Sequence, residues 1–571
     1  MATGVAHETR APAPSEDHGG TGSARRSLPW MVPLGAALLL GVFIPLVYAA
    51  LSGNLGIPHN DTWAFGRSAE DFVHTGHVRM YNWNMMGLAG LVVVAWPVGA
   101  SLAAQSVFIA VLAVAGLLAC YDVLAGALGP AGRRRAAFGT LLVALWPGFT
   151  LLSTSFMTDI PAFTAIAATL AFGRRALDRL SLPWLAAACA AGLWGATVRE
   201  QVLAAPAAIL AVALFRARFR ADRFPTFRIP HILGLGALLL AATGLFELWR
   251  RKVPGGAAPD LTVRKVTAEL VSVEMMQGLL IVALAVSPAV FAMVRPRRWS
   301  WPAWTAAVAT VAAGLLVSED KGAFLGNYVN HDGAYSAASA AGRPILLGSG
   351  WWMALACVAY ASAALLVGSV VDRVRTEGWG LRLRPELLLF AVATVVGTLM
   401  EIGGGADIYD RYLIPMAIPV LALVLSEPLP SPRALRAPRR IAPIAVAAGM
   451  VTITGATLTV NAFTFDMAVW NTASRIVASG QAGAEHVDAG LVWDGYHSPT
   501  AMSDHADRSV DRDYFGALRY LPNHFPCYVV SPSPRVAAGW SLVSVQHYKT
   551  YGFIGDAALY VFRVGGSQTC S

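Results

Sequence analysis

Apolar stretches of about 17–25 residues recur along this chain, the length a helix needs to cross a ~30 Å hydrocarbon core. That pattern constrains the fold more than any motif. It predicts a mainly α, polytopic membrane protein with about thirteen transmembrane helices, near 30–51, 100–127, 136–153, 160–173, 182–198, 200–215, 230–248, 275–294, 299–317, 349–371, 386–402, 411–426 and 441–463. Only 13% of the 571 residues are charged and 56% are hydrophobic. A soluble domain carries about a quarter charged residues, so most of this surface faces something other than water. Residues 1–28, rich in Ala, Gly, Ser, Pro and charge, read as a disordered cytoplasmic tail. Arg25 and Arg26 precede the run Trp30–Leu51 as they would in a signal peptide, but that run is long enough to span and reads as an uncleaved first helix.

The net charge of +9 would suggest nucleic acid in a soluble protein. Here the arginines lie in short clusters between apolar spans, which is a topology signal and excludes a nucleic-acid partner. With the N-terminus cytoplasmic, every inner connection holds three or more of them, from Arg133–Arg135 and Arg174, Arg175, Arg179 to Arg433, Arg436, Arg439 and Arg440. Several outer connections hold one or none. The expectation is therefore a multi-pass plasma-membrane protein among membrane lipids, with an outer C-terminal region. Cys120, Cys189 and Cys357 read as small core residues. Cys527 and Cys570 fall outside, in an oxidising location, and are expected to pair. No zinc spacing, Walker loop or dinucleotide fingerprint is present, and no metal ligand set is assigned.

Three outer segments exceed what connection requires: 52–99, Ser318–Ser349 and the C-terminal region from Thr464. Long loops in a compact chain are commonly functional. In the first, Trp63, Phe65 and Phe72 alternate with Arg67, Glu70 and Asp71, as in a helix lying at the membrane interface. The last hundred residues lose the long apolar runs. LVWDGY, CYVVSPS, LVSVQHY and ALYVFRV read as strands, and Met467–Ser479 as a preceding helix. The division is thus 29–463 for the transmembrane domain, with its large first outer loop 52–99, and 464–571 for a small extracytoplasmic α/β domain. Acids gather at the outer helix ends: Asp61, Asp159, Glu200, Asp407 and Asp410. Each could merely cap a helix or offset its dipole, but their shared side gives the set weight. Arg199 and Arg411 lie outside against the positive-inside bias, each beside an acid. A guanidinium suits bidentate binding of phosphate.

At HNDTW after the first helix, FMTDIPAF, TVREQ and YDRYLIPMAIP, the chain resembles the GT-C superfamily of membrane glycosyltransferases. Nearest are the protein mannosyltransferase and aminoarabinose transferase families that use polyprenyl-phosphate sugars. The resemblance covers most of 30–463 and implies a polyprenyl-phosphate sugar donor reacting at the outer membrane face. One base and one phosphate site suffice for single displacement with inversion, and the Arg- and Ala-rich composition points to a glycan, protein or lipid acceptor of the cell envelope. Asp61 matches the position of the family's first-loop catalytic acid. Many relatives have two adjacent acids there, whereas this chain has Asn60-Asp61, which leaves open whether Asp159 supplies the second carboxylate. On this reading Asp61 is the base and Asp159 its partner, while Arg411 and Arg199 hold the donor phosphate. His59, Trp63, His74, Glu200, Asp410 and Tyr412 are candidates for substrate contact. No cofactor is assigned, and a divalent cation between Asp61 and Asp159 is an option two carboxylates leave open. The competing reading is a transporter or lipid-linked sugar flippase, which would place ionisable groups near the bilayer midplane and often carry internal repeats. A non-catalytic scaffold would leave the first outer loop without a role.

Overall fold

The computed structural model describes residues 30–565 except 82–86, 221–226, 255–266, 336–342, 379–382, 407, 428–437, 498–525, 536–538 and 553. Helices occupy all thirteen apolar stretches. In chain order they begin with α1 (Met31–Leu51), whose axis passes through a π-helical turn at Leu39–Phe43. After the outer-loop helix α2 (Thr62–Thr75) come α3 (Leu102–Leu128), α4 (Arg133–Ala144), α5 (Asp159–Arg179) and α6 (Leu182–Ala196). Next are α7 (Ala204–Arg220), α8 (Ile229–Arg250), α9 (Ala268–Met293) and α10 (Trp301–Lys321). Last come α11 (Ser349–Glu377), α12 (Pro385–Gly403), α13 (Ala417–Leu425) and α14 (Pro438–Ala478). Among the described residues, nine helices are long and apolar enough to cross a membrane.

Two of the expected spans are broken, each where local chemistry demands it. The stretch 136–153 stops at Ala144 and resumes as a single turn at Phe149–Leu152. Pro147 and Gly148 (φ 93°) separate the pieces, a left-handed position that glycine alone takes without strain. The stretch 411–426 begins as a 3-10 segment, Asp410–Met416, containing Pro415, and becomes α-helical only at Ala417. Proline lacks the N–H that an α-helical bond there would need. In α1, the π turn brings Gly41 against α4, and a Cβ there would meet Ala144 Cβ at 2.8 Å.

One end of the bundle gathers the segments with the arginine clusters. Arg174 and Arg175 bond to Asp122 at 2.9 and 3.0 Å, and Arg384 pairs with Asp178. Arg135 donates to the Leu425 carbonyl, and Arg373 Nε to Glu427 at 3.0 Å. The opposite end carries a four-stranded sheet: β1 (Val487–Asp488), β2 (Tyr528–Ser531), β3 (Trp540–Thr550) and β4 (Gly555–Val564), in the order β1-β2-β4-β3. β1 pairs parallel with β2, and the other neighbours are antiparallel.

Residue 464, the expected boundary, falls within α14. α14 runs 41 residues without a break, so the helix expected at Met467–Ser479 is its last part. At 1.5 Å per residue it spans about 60 Å, enough to leave a bilayer and enter the sheet domain. The expected strand LVWDGY is instead helix α15 (Leu491–His497). Asp488 and Asp494 side chains accept from the N–H groups of Gly490 and Ala489, which turns the chain, and tertiary packing does the rest. Trp493 packs on Trp470 of α14, with ring centroids 4.8 Å apart. Burial, followed by nearby Arg67, pushes the neighbouring His497 down to about 4, so this aromatic cluster is uncharged at neutral pH. Cys527 is disulfide-bonded. Cys570, its expected partner, and Asp407 lie outside the described residues.

Helix α2 turns its aromatic face to protein. Trp63 is 1% exposed, packed with Ala64 and Tyr81 against Leu491, Val492 and Tyr496. Gly495 of α15 approaches so closely that a Cβ there would lie 2.5 Å from the Trp63 ring. Trp63→Ala should therefore cost about 3–5 kcal/mol of stability, read as a clear fall in the apparent melting temperature of purified protein. An unchanged melting temperature would contradict this packing.

Candidate active site

The sheet-bearing end of the bundle brings four of the anticipated charges into one buried cluster. The chain leaves α1, turns at Asn60 in a left-handed conformation (φ 51°) and presents Asp61 immediately before α2. Asp61 occupies the capping position yet makes no side-chain cap bond. Its Oδ2 instead lies 3.8 Å from Arg411 Nη2. Asp159 opens α5, with a 1% exposed side chain, and also departs from the capping expectation. Its Oδ1 is 3.2 Å from Arg199 Nη2 and 3.6 Å from Arg411 Nε, and neither carboxylate oxygen is in hydrogen-bond geometry.

Arg411 comes from the 3-10 segment before α13, and Arg199 from the turn between α6 and α7. Both are held by aromatic faces. Arg199 lies 4.0 Å from the centre of the Tyr412 ring and donates from Nε to Thr158 Oγ1 at 2.7 Å. Arg411 lies 5.3–5.5 Å from the rings of Tyr328, Tyr409 and Tyr412. Such contacts stabilise a cation while leaving its in-plane N–H groups directed elsewhere. The cluster opens into a cleft walled by Asp159, Arg199, Arg411 and Tyr412, and lined more deeply by Ile166 and Phe390. A charged mouth therefore leads to an apolar recess.

Other anticipated contacts fall elsewhere, for identifiable reasons. Trp63 is buried beneath α15, as described. His74 lies in the last turn of α2 and is exposed, away from the cluster. Glu200 points outward to Arg250 at 3.0 Å with 47% of its side chain exposed; its neighbour Gln201 lines the cleft. Asp410 is fully buried and accepts from the N–H groups of Tyr328, Val329 and Arg411. It clamps the second outer loop onto the 3-10 segment and so places Tyr328 over Arg411. A carboxylate engaged by three backbone donors has little capacity left for a ligand.

His59 joins a second buried cluster. Its Nδ1 is 2.5 Å from Asp466 Oδ2 on α14, and Tyr335 donates to the same oxygen from the second outer loop. Asp466, Tyr335 and Tyr328 were not anticipated. The available signals were an acid within the apolar helix NAFTFDMAVW and the aromatic residues of GNYVNHDGAYS. As to a divalent cation, the Arg411 guanidinium already lies within 4 Å of both Asp61 and Asp159. It already supplies a positive charge beside both carboxylates.

No family model matches the chain, and no curated protein does. Among solved structures it is similar to ArnT from Cupriavidus metallidurans bound to undecaprenyl phosphate: 14% identity, 95% of this chain and 100% of that one, TM-score 0.41. It is also similar to the oligosaccharyltransferase AglB from Archaeoglobus fulgidus in complex with an inhibitory peptide and a dolichol-phosphate: 13% identity, 89% of this chain and 70% of that one, TM-score 0.41. ArnT and AglB are GT-C membrane glycosyltransferases, the superfamily whose motifs this sequence resembles. At that identity and TM-score the likeness says nothing of substrate or mechanism, which have to be read from the side chains.

Proposed function

We propose that this chain is an inverting glycosyltransferase that moves a pentosyl or hexosyl group from a polyprenyl-phosphate donor to a cell-envelope acceptor. The reaction takes place at the outer face of the plasma membrane, the chain crossing thirteen times from a cytoplasmic N-terminus. One observation carries the reading. The guanidinium groups of Arg199 and Arg411 and the carboxylate of Asp159 line one cleft together with apolar side chains such as Ile166 and Phe390, and Asp61 stands 3.8 Å from Arg411. That arrangement suits an anionic head on a hydrocarbon tail.

The chemistry needs a base and a phosphate site. The acceptor hydroxyl oxygen attacks the anomeric carbon as the bond from that carbon to the phosphate oxygen breaks. Its electron pair leaves on the polyprenyl phosphate, and the hydroxyl proton passes to Asp61. Arg411 and Arg199 stabilise the charge growing on the departing phosphate. At rest the two arginines are shared with Asp61 and Asp159. Drawing Arg411 toward an incoming phosphate loosens its hold on Asp61, which leaves that carboxylate better able to take the proton. A single displacement of this kind inverts the anomeric configuration. A transporter or flippase would instead place its ionisable groups at mid-span, whereas these stand at helix ends.

Asp61→Asn keeps the shape of the side chain and removes its basicity. Transfer from synthetic polyprenyl-phosphate mannose or arabinose by purified protein should fall by about 10²–10⁴, with donor binding retained. Near-normal transfer would remove Asp61 as the base. Arg411→Ala would leave the buried Asp159 to Arg199 alone and take an ion-pair partner from Asp61, at a cost of about 3–5 kcal/mol, so Arg411→Lys is the better probe. It keeps the charge, loses the planar fork, and should raise the donor KM. An unchanged donor KM would count against phosphate binding by this residue.

Orientation has its own test. In protein lacking exposed Cys357, Ser541→Cys on β3 should react with an impermeant thiol reagent in intact cells, and Ala131→Cys before α4 should not. The reverse pattern would invert the topology.

A further inference from the structure

The turn joining β3 to β4 belongs to the sheet, yet it is held by two membrane helices and the start of a third. After the Thr550–Gly555 pair, Tyr551 (φ 54°) and Gly552 (φ 81°) both take left-handed conformations and reverse the chain. A Cβ on Gly552 would lie 3.0 Å from Tyr48 Oη of α1 and 3.2 Å from Val460 Cγ1 of α14. A glycine lets the turn approach both helices without strain. The Leu347 N–H donates to Tyr551 Oη at 2.8 Å, two residues before α11 begins at Ser349.

Those three helices fix the level of the turn independently. Along α1, Tyr48 stands about 26 Å from Met31, where the apolar span begins. Along α14, Val460 stands about 28 Å from Ile441, the start of that span. A hydrocarbon core is ~30 Å thick, so both contacts fall close to its edge on the side of the sheet. The span of α11 starts at the same edge, beside the Leu347 bond. The uncovered side of α1 agrees, since it stays apolar past Tyr48: Val47 is 55% exposed and Leu51 84%. A tyrosine hydroxyl at this level is where the aromatic belt of a membrane protein lies.

Ile554 follows in the same turn and is 70% exposed. An isolated exposed isoleucine is ordinary on a surface in water. This one stands where the bilayer ends, and Ile345, also exposed, lies two residues before the Leu347 bond. Charge returns one rung farther along the hairpin, about 3.4 Å from the Thr550–Gly555 pair. There Lys549 pairs with Asp556 at 2.6 Å, with 55% of the lysine side chain exposed. Its long stem can place the ammonium among headgroup phosphates. An apolar tip with an ion pair just behind it follows the order of a bilayer surface, acyl chains first and headgroups next.

We propose that the β3–β4 turn is a membrane contact whose partner is the bilayer lipid around α1, α11 and α14. Ile554 rests on the acyl chains, and Lys549 faces the headgroups. The contact holds the sheet at a fixed height over the lipid. β4 pairs with β2 and β2 with β1, whose chain continues into α15 over Trp63. The height of the turn is thereby passed to the elements that cover α2. The proposal holds or fails separately from the transferase reading.

Collision rates of a spin label read the contact directly. Full-length protein lacking Cys357 and carrying Ile554→Cys is labelled with a nitroxide and reconstituted into vesicles of equal parts phosphatidylcholine and phosphatidylglycerol. Protein without an introduced cysteine is the blank. Oxygen concentrates among acyl chains, whereas a hydrophilic nickel chelate stays in water. At 554 the oxygen collision rate should exceed that of the chelate several-fold, as at lipid-facing Val47→Cys. The order should reverse at Ser541→Cys, exposed near the far end of β3. Ile554 is exposed, so its replacement leaves the packing of the protein intact. A label at 554 that follows the Ser541 pattern would put the turn in water and overturn the proposal. Slow collision with both reagents would mean that protein covers the turn, as a second copy could, and would overturn it equally.

Discussion

A guanidinium cannot sit in an apolar interior alone, and the sheet-bearing end of this molecule is organised by that fact. Arg411 is 5% exposed. Its two carboxylate neighbours come from the turn after α1 and from the first residue of α5, and its aromatic neighbours come from the second outer loop and its own segment. At an effective dielectric of ~20, charges about 4 Å apart attract by roughly 4 kcal/mol, but desolvation of both partners opposes most of that. The cluster is therefore better understood as specifying one arrangement than as adding stability. Once four segments are drawn to one cation, the left-handed turn at Asn60, the 3-10 start of the 411–426 stretch and the clamp at Asp410 become linked requirements.

The same economy of charge explains how the cluster can act. Two arginines and two aspartates are neutral together, so on the transferase proposal an arriving phosphate would find partners already oriented, needing exchange rather than assembly. Preorganised charge in a water-poor site is worth far more to a developing anion than charge that must be gathered during reaction. The stacked tyrosines matter here because they hold each guanidinium by its face and leave its edge for oxygen.

Helix α14 supplies the second constraint. Because it continues from the bundle into the sheet domain without a break, Asp466 and Trp470 are placed rigidly relative to the membrane helices. Asp466 receives both His59 and Tyr335, so the loop that bears Asp61 is tied to α14 two residues before the carboxylate. The turn at Asn60 is thus held by Asp466 on one side and Arg411 on the other.

What the sequence alone determined is what depends on composition along short windows. Apolar length marked all thirteen helical stretches, arginine clusters marked the segments that gather at one end, and three of the four strand-like runs are strands. Asp61, Asp159, Arg199 and Arg411 were legible because charge at the end of an apolar run is conspicuous whatever the fold. Contacts between distant segments were not legible. Trp63 looked like a surface aromatic until α15 covered it, LVWDGY had the composition of a strand until Trp493 found Trp470, and Asp410 looked available until three backbone N–H groups claimed it. Tyr328, Tyr335 and Asp466 carry no local signature, because their surroundings are built by loops and a helix far apart in the chain. Periodicity and charge act between neighbours in sequence, whereas burial, ring stacking and the satisfaction of a buried donor depend on neighbours in space, and only the tertiary structure decides who those are.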